Sequence, residues 1–304
     1  MKVYLTGGLG NQLFQLAAAL ENSQSNIELV SDIGNPRLVK AGTPEIFSFA
    51  LPVEVTSISA PPNFKKTTTK LISLNLRAHF SPKRFEKMFL WIYRLLGNVY
   101  LSLIFSSPLR LRVGRDVGFS PIGKLTRRDF LVGYFQTFKF LSERTLGKIS
   151  ALELLDPSQE YLKYYEKLRG QRILVIHIRL GDYLLEPTIG VLSKEYYERA
   201  FREINFNDVD RILVFSDSPD LASGYLPSNL PSEFEIVPIG FTSAETLMLM
   251  RTGKEFIISN STFSWWGAML SHNKDKKVIA PTPWFTAQDD PIELLPRSWI
   301  RVKR

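Results

Sequence analysis

The chain has 304 residues, of which 44% are apolar and 22% charged, an ordinary globular composition that predicts one large or two medium domains. It contains no cysteine, which excludes disulfides, thiolate zinc sites and a cysteine nucleophile, and its three histidines argue against a multi-histidine metal site. The net charge of +8 favours an anionic partner, such as a nucleotide, a phospholipid surface or a nucleic acid.

The N-terminal half opens with the pattern of a strand, a glycine-rich loop and a helix. The strand is predicted at 2–5, the loop GGLGNQ covers 7–12, the helical run LFQLAAALENS follows, and a second strand is predicted at 27–31. The loop lacks the full GxGxxG pattern, so it indicates either a close backbone approach to a ligand or a plain tight turn. Asn11 and Gln12 offer amides there for a sugar or a phosphate.

The middle of the chain changes character twice. Residues 34–70 are rich in Pro, Ser and Thr and predict a loop with short elements. Residues 71–115 interleave Lys and Arg with apolar residues at helical spacing, which is typical of an amphipathic helix. Two interpretations stay open, a basic helix on an anionic bilayer or a helix pair packed on the first domain with solvated arginines. A further helix is predicted at 134–150.

From residue 156 onward, helices and strands alternate along the chain. A helix at 156–170 is predicted to link the two halves. The pattern then predicts strands at 172–178, 211–216, 234–238, 255–259 and 277–280, and helices at 194–204, 244–252 and 264–271. Strands separated by helices of this size indicate a doubly wound parallel sheet.

Three of these predicted strands end in clusters of polar residues. The clusters are HIRLGDY at 177–183, SDS at 216–218 and SNSTFS at 259–264. Ligands of open parallel sheets bind at the carboxyl ends of the strands. We therefore expect the three clusters to meet at one edge of the sheet and to form the functional site.

The last of these clusters runs directly into a predicted helix with two adjacent tryptophans. Free N–H groups and the helix dipole at such a helix start attract an anion, and the hydroxyls of Ser261, Thr262 and Ser264 could add donors. Arg179 could supply a fixed positive fork for the same phosphate. The alternative interpretation is simple N-capping of the helix by Ser or Thr.

Two residues near Arg179 also have two interpretations each. His177 either faces the ligand or is a core histidine bonded to a backbone carbonyl. Asp182, three residues after Arg179, either holds the arginine in an ion pair or takes part in acid–base chemistry.

Together these stretches resemble glycosyltransferase family 11, the α-1,2-fucosyltransferases of bacteria and animals. The resemblance runs almost end to end and is weakest over 34–130. The segments that carry it are GGLGNQLFQ (7–15), GYFQ (133–136), HIRLGDY (177–183), YYERA (196–200), FSDS (215–218), IISNSTFSWWGAML (257–270), VIAPTPWF (278–285) and LPRSWIRV (295–302).

The resemblance implies an α/β, GT-B-like fold with two Rossmann-like domains facing across a cleft. Residues 1–155 would form an acceptor-side domain with a basic helical insertion, and 156–304 a domain that binds GDP-fucose. The implied reaction is inverting transfer of L-fucose from GDP-β-L-fucose to the 2-hydroxyl of a galactose at the end of a glycan. It implies no cofactor and no metal.

The resemblance also implies roles for individual residues. His177, Arg179 and Asp182 would be catalytic, and Gln136 would face the acceptor. The general base stays open between Asp182, Glu245 and a residue of the N-terminal half. The donor-binding set would be Gly8, Gly10, Asn11, Gln12, His177, Arg179, Ser216, Asp217, Asn260, Ser261, Thr262, Phe263 and Ser264.

Two alternative functions remain open at this point. The same scaffold could transfer another deoxyhexose from a different nucleotide donor. A protein that binds nucleic acid or a membrane surface through its basic residues is the alternative from another class, although a family 11 enzyme is not expected to bind nucleic acid. Because no leader pattern and no uncharged run of about 18 residues is present, we expect a cytoplasmic protein, with peripheral contact at the inner face of the cytoplasmic membrane left open.

Overall fold

Two parallel β-sheets organise the chain. The computed structural model describes residues 1–23, 25–31, 44–60, 64, 70, 74, 83–114, 118–227, 230 and 234–304. The chain divides into two compact units, Met1–Glu153 and Leu154–Arg304, and each unit contains one of the sheets. Within the described ranges, no helix is long and apolar enough to cross a membrane.

The first unit is built on a five-stranded sheet with the strand order β3-β2-β1-β5-β4. Strand β1 lies at its centre, where Val3 pairs with Leu29 on one side and with Leu131 on the other, all in parallel register. The elements are β1 (Lys2–Tyr4), α1 (Leu9–Asn22), β2 (Ile27–Ser31), β3 (Val55–Ser59), α2 (Arg84–Met88), α3 (Leu90–Ile104), β4 (Arg110–Val113), β5 (Asp129–Val132) and α4 (Glu143–Ser150).

Two helix predictions for this unit need correction. Helix α1 begins at Leu9, so Asn11 and Gln12 lie in its first turns and not in a loop. The helix predicted at 134–150 is wrong over its first half, because Phe135 has a φ of +55° and only a 3-10 turn at Phe138–Phe140 precedes α4. A bulky residue with a positive φ is incompatible with a continuing right-handed helix.

The basic stretch at 71–115 also differs from its prediction. Residues 71–73, 75–82 and 115 lie outside the described residues. The described part forms α2, α3 and β4, and Gly97 and Leu101 are the buried positions of α3. The outer side of α3 carries exposed apolar residues such as Trp91 and Leu103, so apolar residues lie on both sides of this helix.

The second unit is built on a six-stranded parallel sheet with the order β11-β10-β9-β6-β7-β8. Its central strand β6 reads ILVIHI, and all six residues are buried, as expected for a parallel strand covered on both faces. The elements are α5 (Gln159–Leu168), β6 (Ile173–Ile178), α6 (Lys194–Phe201), β7 (Arg211–Ser216), α7 (Pro219–Ala222), β8 (Phe234–Ile236), α8 (Ser243–Met250), β9 (Glu255–Ile257), α9 (Thr262–Met269), β10 (Lys277–Thr282) and β11 (Ile300–Lys303).

Two buried tyrosines of α6 fix the carboxyl ends of the central strands. The Tyr197 hydroxyl donates to the His177 carbonyl at 3.1 Å, and the Tyr196 hydroxyl donates to the Ile258 carbonyl at 2.6 Å. Both rings are fully buried, so these bonds satisfy the polar end of each side chain inside the core. Two Rossmann-like α/β units confirm the predicted fold class, whereas the cleft expected for a GT-B fold stays a prediction.

Candidate active site

Arg179 follows directly after β6, and its guanidinium is held from three sides. Nη2 donates to Asp182 Oδ1 at 2.7 Å, Nη1 lies 3.2 Å from Asp217 Oδ2, and the Tyr183 ring centroid lies 5.3 Å from Cζ. The Arg179 Nε is buried and has no hydrogen-bond partner in the part of the chain that the structure describes. A planar guanidinium held in a fixed orientation is suited to a phosphate oxygen.

Asp217, directly after β7, joins the ends of two neighbouring strands. Besides its ion pair with Arg179, its Oδ1 accepts the Leu180 N–H at 2.9 Å. A Cβ built at Gly181 would collide with Asp217 Oδ2, so glycine is what allows the loop after β6 to pass so close to the carboxylate. Asp217 therefore positions Arg179, and this role does not require Asp217 itself to touch the ligand.

His177 is buried and bridges β6 to the loop after β9. Its Nδ1 lies 2.6 Å from Ser259 Oγ, and the Phe263 ring centroid lies 6.1 Å from its own. Burial, together with the positive charge of Arg179, lowers the pKa of His177 to about 3. The imidazole is therefore neutral at physiological pH and adds no positive charge to the site.

The start of α9 is fixed by side-chain contacts on several sides. Ser261 is the N-cap, and its Oγ accepts the Phe263 N–H at 3.3 Å. Ser264 Oγ donates to the Ser259 carbonyl, and Trp265 Nε1 donates to the Leu294 carbonyl at 3.0 Å. The Phe263 N–H is thus capped within the chain, as simple N-capping predicts. The N–H groups of Thr262 and Ser264 have no helical acceptor, because no earlier turn exists, and these two are the donors suited to an anion.

Tyr183 lies between Arg179 and the loop that precedes α9. The Tyr183 hydroxyl donates to the Asn260 carbonyl at 3.3 Å, while its ring lies against Arg179. The pKa of Tyr183 is raised, chiefly by burial, so the phenol keeps its proton. The polar ends of β6 and β9, predicted from sequence to share one edge, are thus connected by Tyr183, a residue that the sequence reasoning did not select.

Residues 162–297 match the sequence pattern of Glycosyl transferase family 11. This match covers less than half of the chain and agrees with the family resemblance found in the sequence. The E. coli O-antigen biosynthesis glycosyltransferase WbnK is 37% identical over 140 residues, which is 42% of this chain and 43% of that protein. An E. coli alpha-1,2-colitosyltransferase is 27% identical over 99% of this chain and 98% of its own length. The identification of a glycosyltransferase from the sequence is confirmed.

The solved structure of fucosyltransferase NodZ from Bradyrhizobium is 15% identical, with 88% of this chain and 92% of that chain covered and a TM-score of 0.47. A likeness of this size carries no information about the site. The chain spans less than half the length of WbnK in the match given above.

Two predicted donor-binding residues of the family 11 segment support the backbone of the site. The Asn260 amide donates to the carbonyls of Ile189 and Gly190, both at 3.0 Å, and to that of Trp284 at 3.2 Å. Ser216 Oγ accepts the Ser218 N–H at 3.1 Å. These bonds hold the loops around the site in place. The Asn260 amide nitrogen and the Ser216 hydroxyl therefore already have partners within the protein.

Glu245 is bound too tightly to serve as the base. One carboxylate oxygen accepts the Ser158 N–H at 2.7 Å, and the other accepts the N–H and hydroxyl of Thr242, which caps α8. Burial by itself raises the pKa of Glu245, but the hydrogen bonds from Ser158 and Thr242 outweigh it, and the net pKa is lowered. A buried carboxylate with a lowered pKa and both oxygens occupied is a structural cap.

The predicted residues of the first unit lie around the start of α1. Gln136 Nε2 donates to Asn11 Oδ1 at 2.9 Å, so these two residues do meet. Gln12 is fully buried, with its amide bonded to the Gly7 carbonyl and the Ile46 N–H, both at 3.0 Å. Gln12 is therefore corrected from a donor contact to a packing residue.

Gly8 is the N-cap of α1, and Gly10 lies in its first turn. An acidic side chain of this chain already lies at this helix start. Glu45 Oε2 accepts the Leu9 N–H at 3.0 Å, and a Cβ built at Gly8 would lie 3.8 Å from the same oxygen. The helix start is thus capped by a carboxylate of this chain. This contact was not predicted, because Glu45 lies 36 residues from Leu9 in a stretch predicted as loop.

Among the residues that the structure describes, no group of three or more His, Cys, Asp or Glu side chains is arranged to hold a metal ion. The cationic groups placed at the site by the structure are Arg179 and the N-terminus of α9.

Proposed function

We propose that this protein is an inverting α-1,2-fucosyltransferase that uses GDP-β-L-fucose and a galactose-terminated glycan. The observation that carries the proposal is the Arg179 fork, which Asp182, Asp217 and Tyr183 hold at the end of β6, the strand next to β9 that leads into α9. These groups suit a diphosphate, the part of a sugar nucleotide that gains negative charge during transfer. The second unit would bind the donor, and the first unit would contribute to the acceptor side.

In the proposed reaction, the 2-hydroxyl oxygen of galactose attacks the anomeric carbon of fucose from the face opposite GDP. The bond between that carbon and the β-phosphate oxygen breaks, and GDP leaves with its electron pair. Positive donors fixed before the reaction stabilise this leaving charge without rearranging. Arg179 and the N–H groups of α9 would supply that stabilisation, and no bound metal would be required.

The two carboxylates around Arg179 have different expected roles. The Asp182 side chain is 70% exposed, whereas that of Asp217 is 22% exposed and also bonds to the Leu180 N–H. A diphosphate that takes the outer edge of the guanidinium would compete with the exposed carboxylate first. Asp217 would remain and keep the fork in plane, since Arg179 can reach a phosphate accurately only when its own position is fixed.

The proton of the attacking hydroxyl needs an acceptor, and two candidates are already engaged. His177 is buried beneath Arg179 and bonded to Ser259, and Glu245 has both oxygens occupied. Asp182 is the exposed carboxylate near Arg179 in the second unit. We propose Asp182 or an acidic residue of the first unit as the general base.

One observation supports GDP-colitose as the alternative donor. The alpha-1,2-colitosyltransferase matches almost the full length of this chain, whereas WbnK matches less than half of it. Fucose and colitose are both 6-deoxyhexoses and differ in a single hydroxyl. A site that hydrogen-bonds a hydroxyl rejects the analogue lacking it far more strongly than an apolar pocket rejects an added hydroxyl.

Transfer assays with each of the two donors, followed by analysis of the product, test the proposed function. The purified protein is incubated with GDP-fucose or GDP-colitose, a set of β-galactosides and a chelator, and the product linkage is determined by NMR. We expect an α-1,2-linked fucosyl galactoside at an undiminished rate in chelator. A preference for GDP-colitose would select the second donor, and transfer from neither GDP-sugar would reject the proposal.

A further inference from the structure

The outer side of α2 and α3 is apolar along its whole length. Phe85, Met88, Trp91, Leu95, Val99 and Leu103 recur every three or four residues, and each is at least half exposed, from 50% for Val99 to 74% for Leu103. Residues at this spacing lie on one side of a helix. We call these six side chains the α2–α3 apolar face, and a contiguous patch of this kind usually marks an interaction site.

The opposite side of α3 is firmly packed, so the exposure does not come from a detached helix. Leu101 belongs to the core cluster that includes Tyr4, Val30 and Phe130. Asn98 Oδ1 accepts the Leu111 N–H at 2.7 Å, and Ser102 Oγ accepts the Leu109 N–H at 2.8 Å. These bonds tie α3 to the start of strand β4 and fix which side points outward.

Positive charge surrounds this apolar face in sequence and in space. Residues 83–115 contain seven Lys or Arg and one acidic residue, Glu86. Arg84 is exposed at the start of α2. Beyond the end of α3, Arg110 and Arg112 share the carboxylate of Asp129, and the adjacent Arg127 and Arg128 are exposed, so this end keeps an excess of positive charge. An apolar stripe with basic residues at its ends is typical of helices that lie in the surface of an anionic bilayer.

A second copy of the chain fits the same face poorly. Pairing two copies antiparallel about a twofold axis would bring Arg84 of one copy towards the basic group around Arg128 of the other. Parallel pairing would bring Arg84 towards its own counterpart. Like charges at both ends oppose either arrangement. Negatively charged lipid headgroups complement both ends at once.

We propose that the α2–α3 apolar face docks the protein on an anionic membrane surface, with α2 and α3 lying in the plane of the interface. The two helices together extend about 30 Å, at 1.5 Å per residue, which gives a long and shallow contact. Trp91 near the middle would sit at headgroup level, where indole rings are favoured. This proposal goes beyond the proposed function and does not depend on the identity of the donor sugar.

Vesicle sedimentation with matched variants tests the proposal. Vesicles of phosphatidylcholine with about one third phosphatidylglycerol are compared with phosphatidylcholine alone, at low and at high salt. The disruptive variant is Trp91→Ser with Leu95→Gln. The control is Val53→Gln, because Val53 is 99% exposed in the same unit but lies outside the face.

We expect the wild-type protein and Val53→Gln to bind the anionic vesicles, and the double variant to bind at least about tenfold more weakly. High salt and Arg84→Gln should weaken binding of the wild type by a smaller factor. Equal binding of the double variant, or no binding of the folded wild type, would overturn the proposal. So would a wild-type dimer in sedimentation velocity that the double variant converts to a monomer, since the face would then bind a second copy.

Discussion

Arg179 Nη1 lies 3.2 Å from Asp217 Oδ2, and this ion pair joins the carboxyl ends of two adjacent parallel strands. Asp217 also accepts the Leu180 N–H, so it fixes both the guanidinium and the backbone that carries it. Partly buried pairs of this kind are screened less than surface pairs. The orientation of Arg179 is therefore set before any ligand binds.

Replacing Arg179 should remove most of the preference of the protein for GDP over GMP. We expect Arg179→Ala to lower transfer by about two orders of magnitude or more, and Arg179→Lys to be poor as well, because an ammonium cannot reproduce a planar fork. The second measurement is the affinity of each variant for GDP and for GMP by calorimetry. We expect the ratio of the two affinities to fall in both variants.

The matched control is Arg172→Ala at the opposite end of β6. Arg172 is exposed and pairs with Asp208 and Asp210, away from the site. The variant should keep both transfer and the GDP preference. A folded Arg179→Ala enzyme with near-normal turnover would remove the arginine from the donor site.

The two carboxylates of Arg179 should respond differently to truncation. Asp217→Ala removes a partly buried acceptor and leaves the Leu180 N–H without its partner, so both thermal stability and GDP affinity should fall, with a stability loss of about 1–3 kcal/mol. Asp182→Ala should change stability little, since exposed pairs contribute about 0–1 kcal/mol. Denaturant unfolding and GDP titration of both variants check this, and equal stability losses would refute the distinction.

Gly181 should tolerate no side chain. Alanine there would place a Cβ against Asp217 Oδ2 and displace the carboxylate from Arg179. We expect Gly181→Ala to lose transfer at least about tenfold while the fold is retained, because a small displacement of a positioned group is costly in catalysis. Gly224→Ala is the control, as a Cβ there has no neighbour within 4 Å.

Burial of His177 should make the protein less stable towards acid. Its pKa is about 3 in the folded protein and near 6.5 when unfolded, so the unfolded state takes up a proton first as the pH falls. Between pH 6.5 and 3 this costs about 1.4 kcal/mol of unfolding free energy per pH unit at most. Urea unfolding at pH 7 and pH 5 should show that decrease, and His177→Asn should reduce it; an unchanged slope would contradict the buried neutral imidazole.

Much of the second unit could be predicted from sequence because its signals are local. The run ILVIHI is fully apolar except for His177, and β7 was predicted at its observed bounds. The polar residues after β6, β7 and β9 then followed from the rule that strand ends of a parallel sheet face one edge. Arg179 and Asp217 were selected on that ground, and the structure places them in contact.

The first unit was harder because its structure depends on distant contacts. Strands β4 and β5 are short, and β4 alternates arginine with apolar residues, so neither resembles a buried central strand. Glu45 on the start of α1 and Tyr183 between Arg179 and Asn260 are recognised only through tertiary contacts. The exposure of the apolar residues on the outer side of α3 is also known only from the structure, because helical spacing does not tell which side of a helix faces the core.

The most direct test of the account is a crystal structure of the protein with GDP, grown in the presence of a chelator. We predict that a β-phosphate oxygen lies about 3 Å from the Arg179 guanidinium and that a second oxygen meets the first N–H groups of α9. A diphosphate bound away from both Arg179 and Ser261–Ser264, or one that binds only when a divalent cation is supplied, would contradict the account.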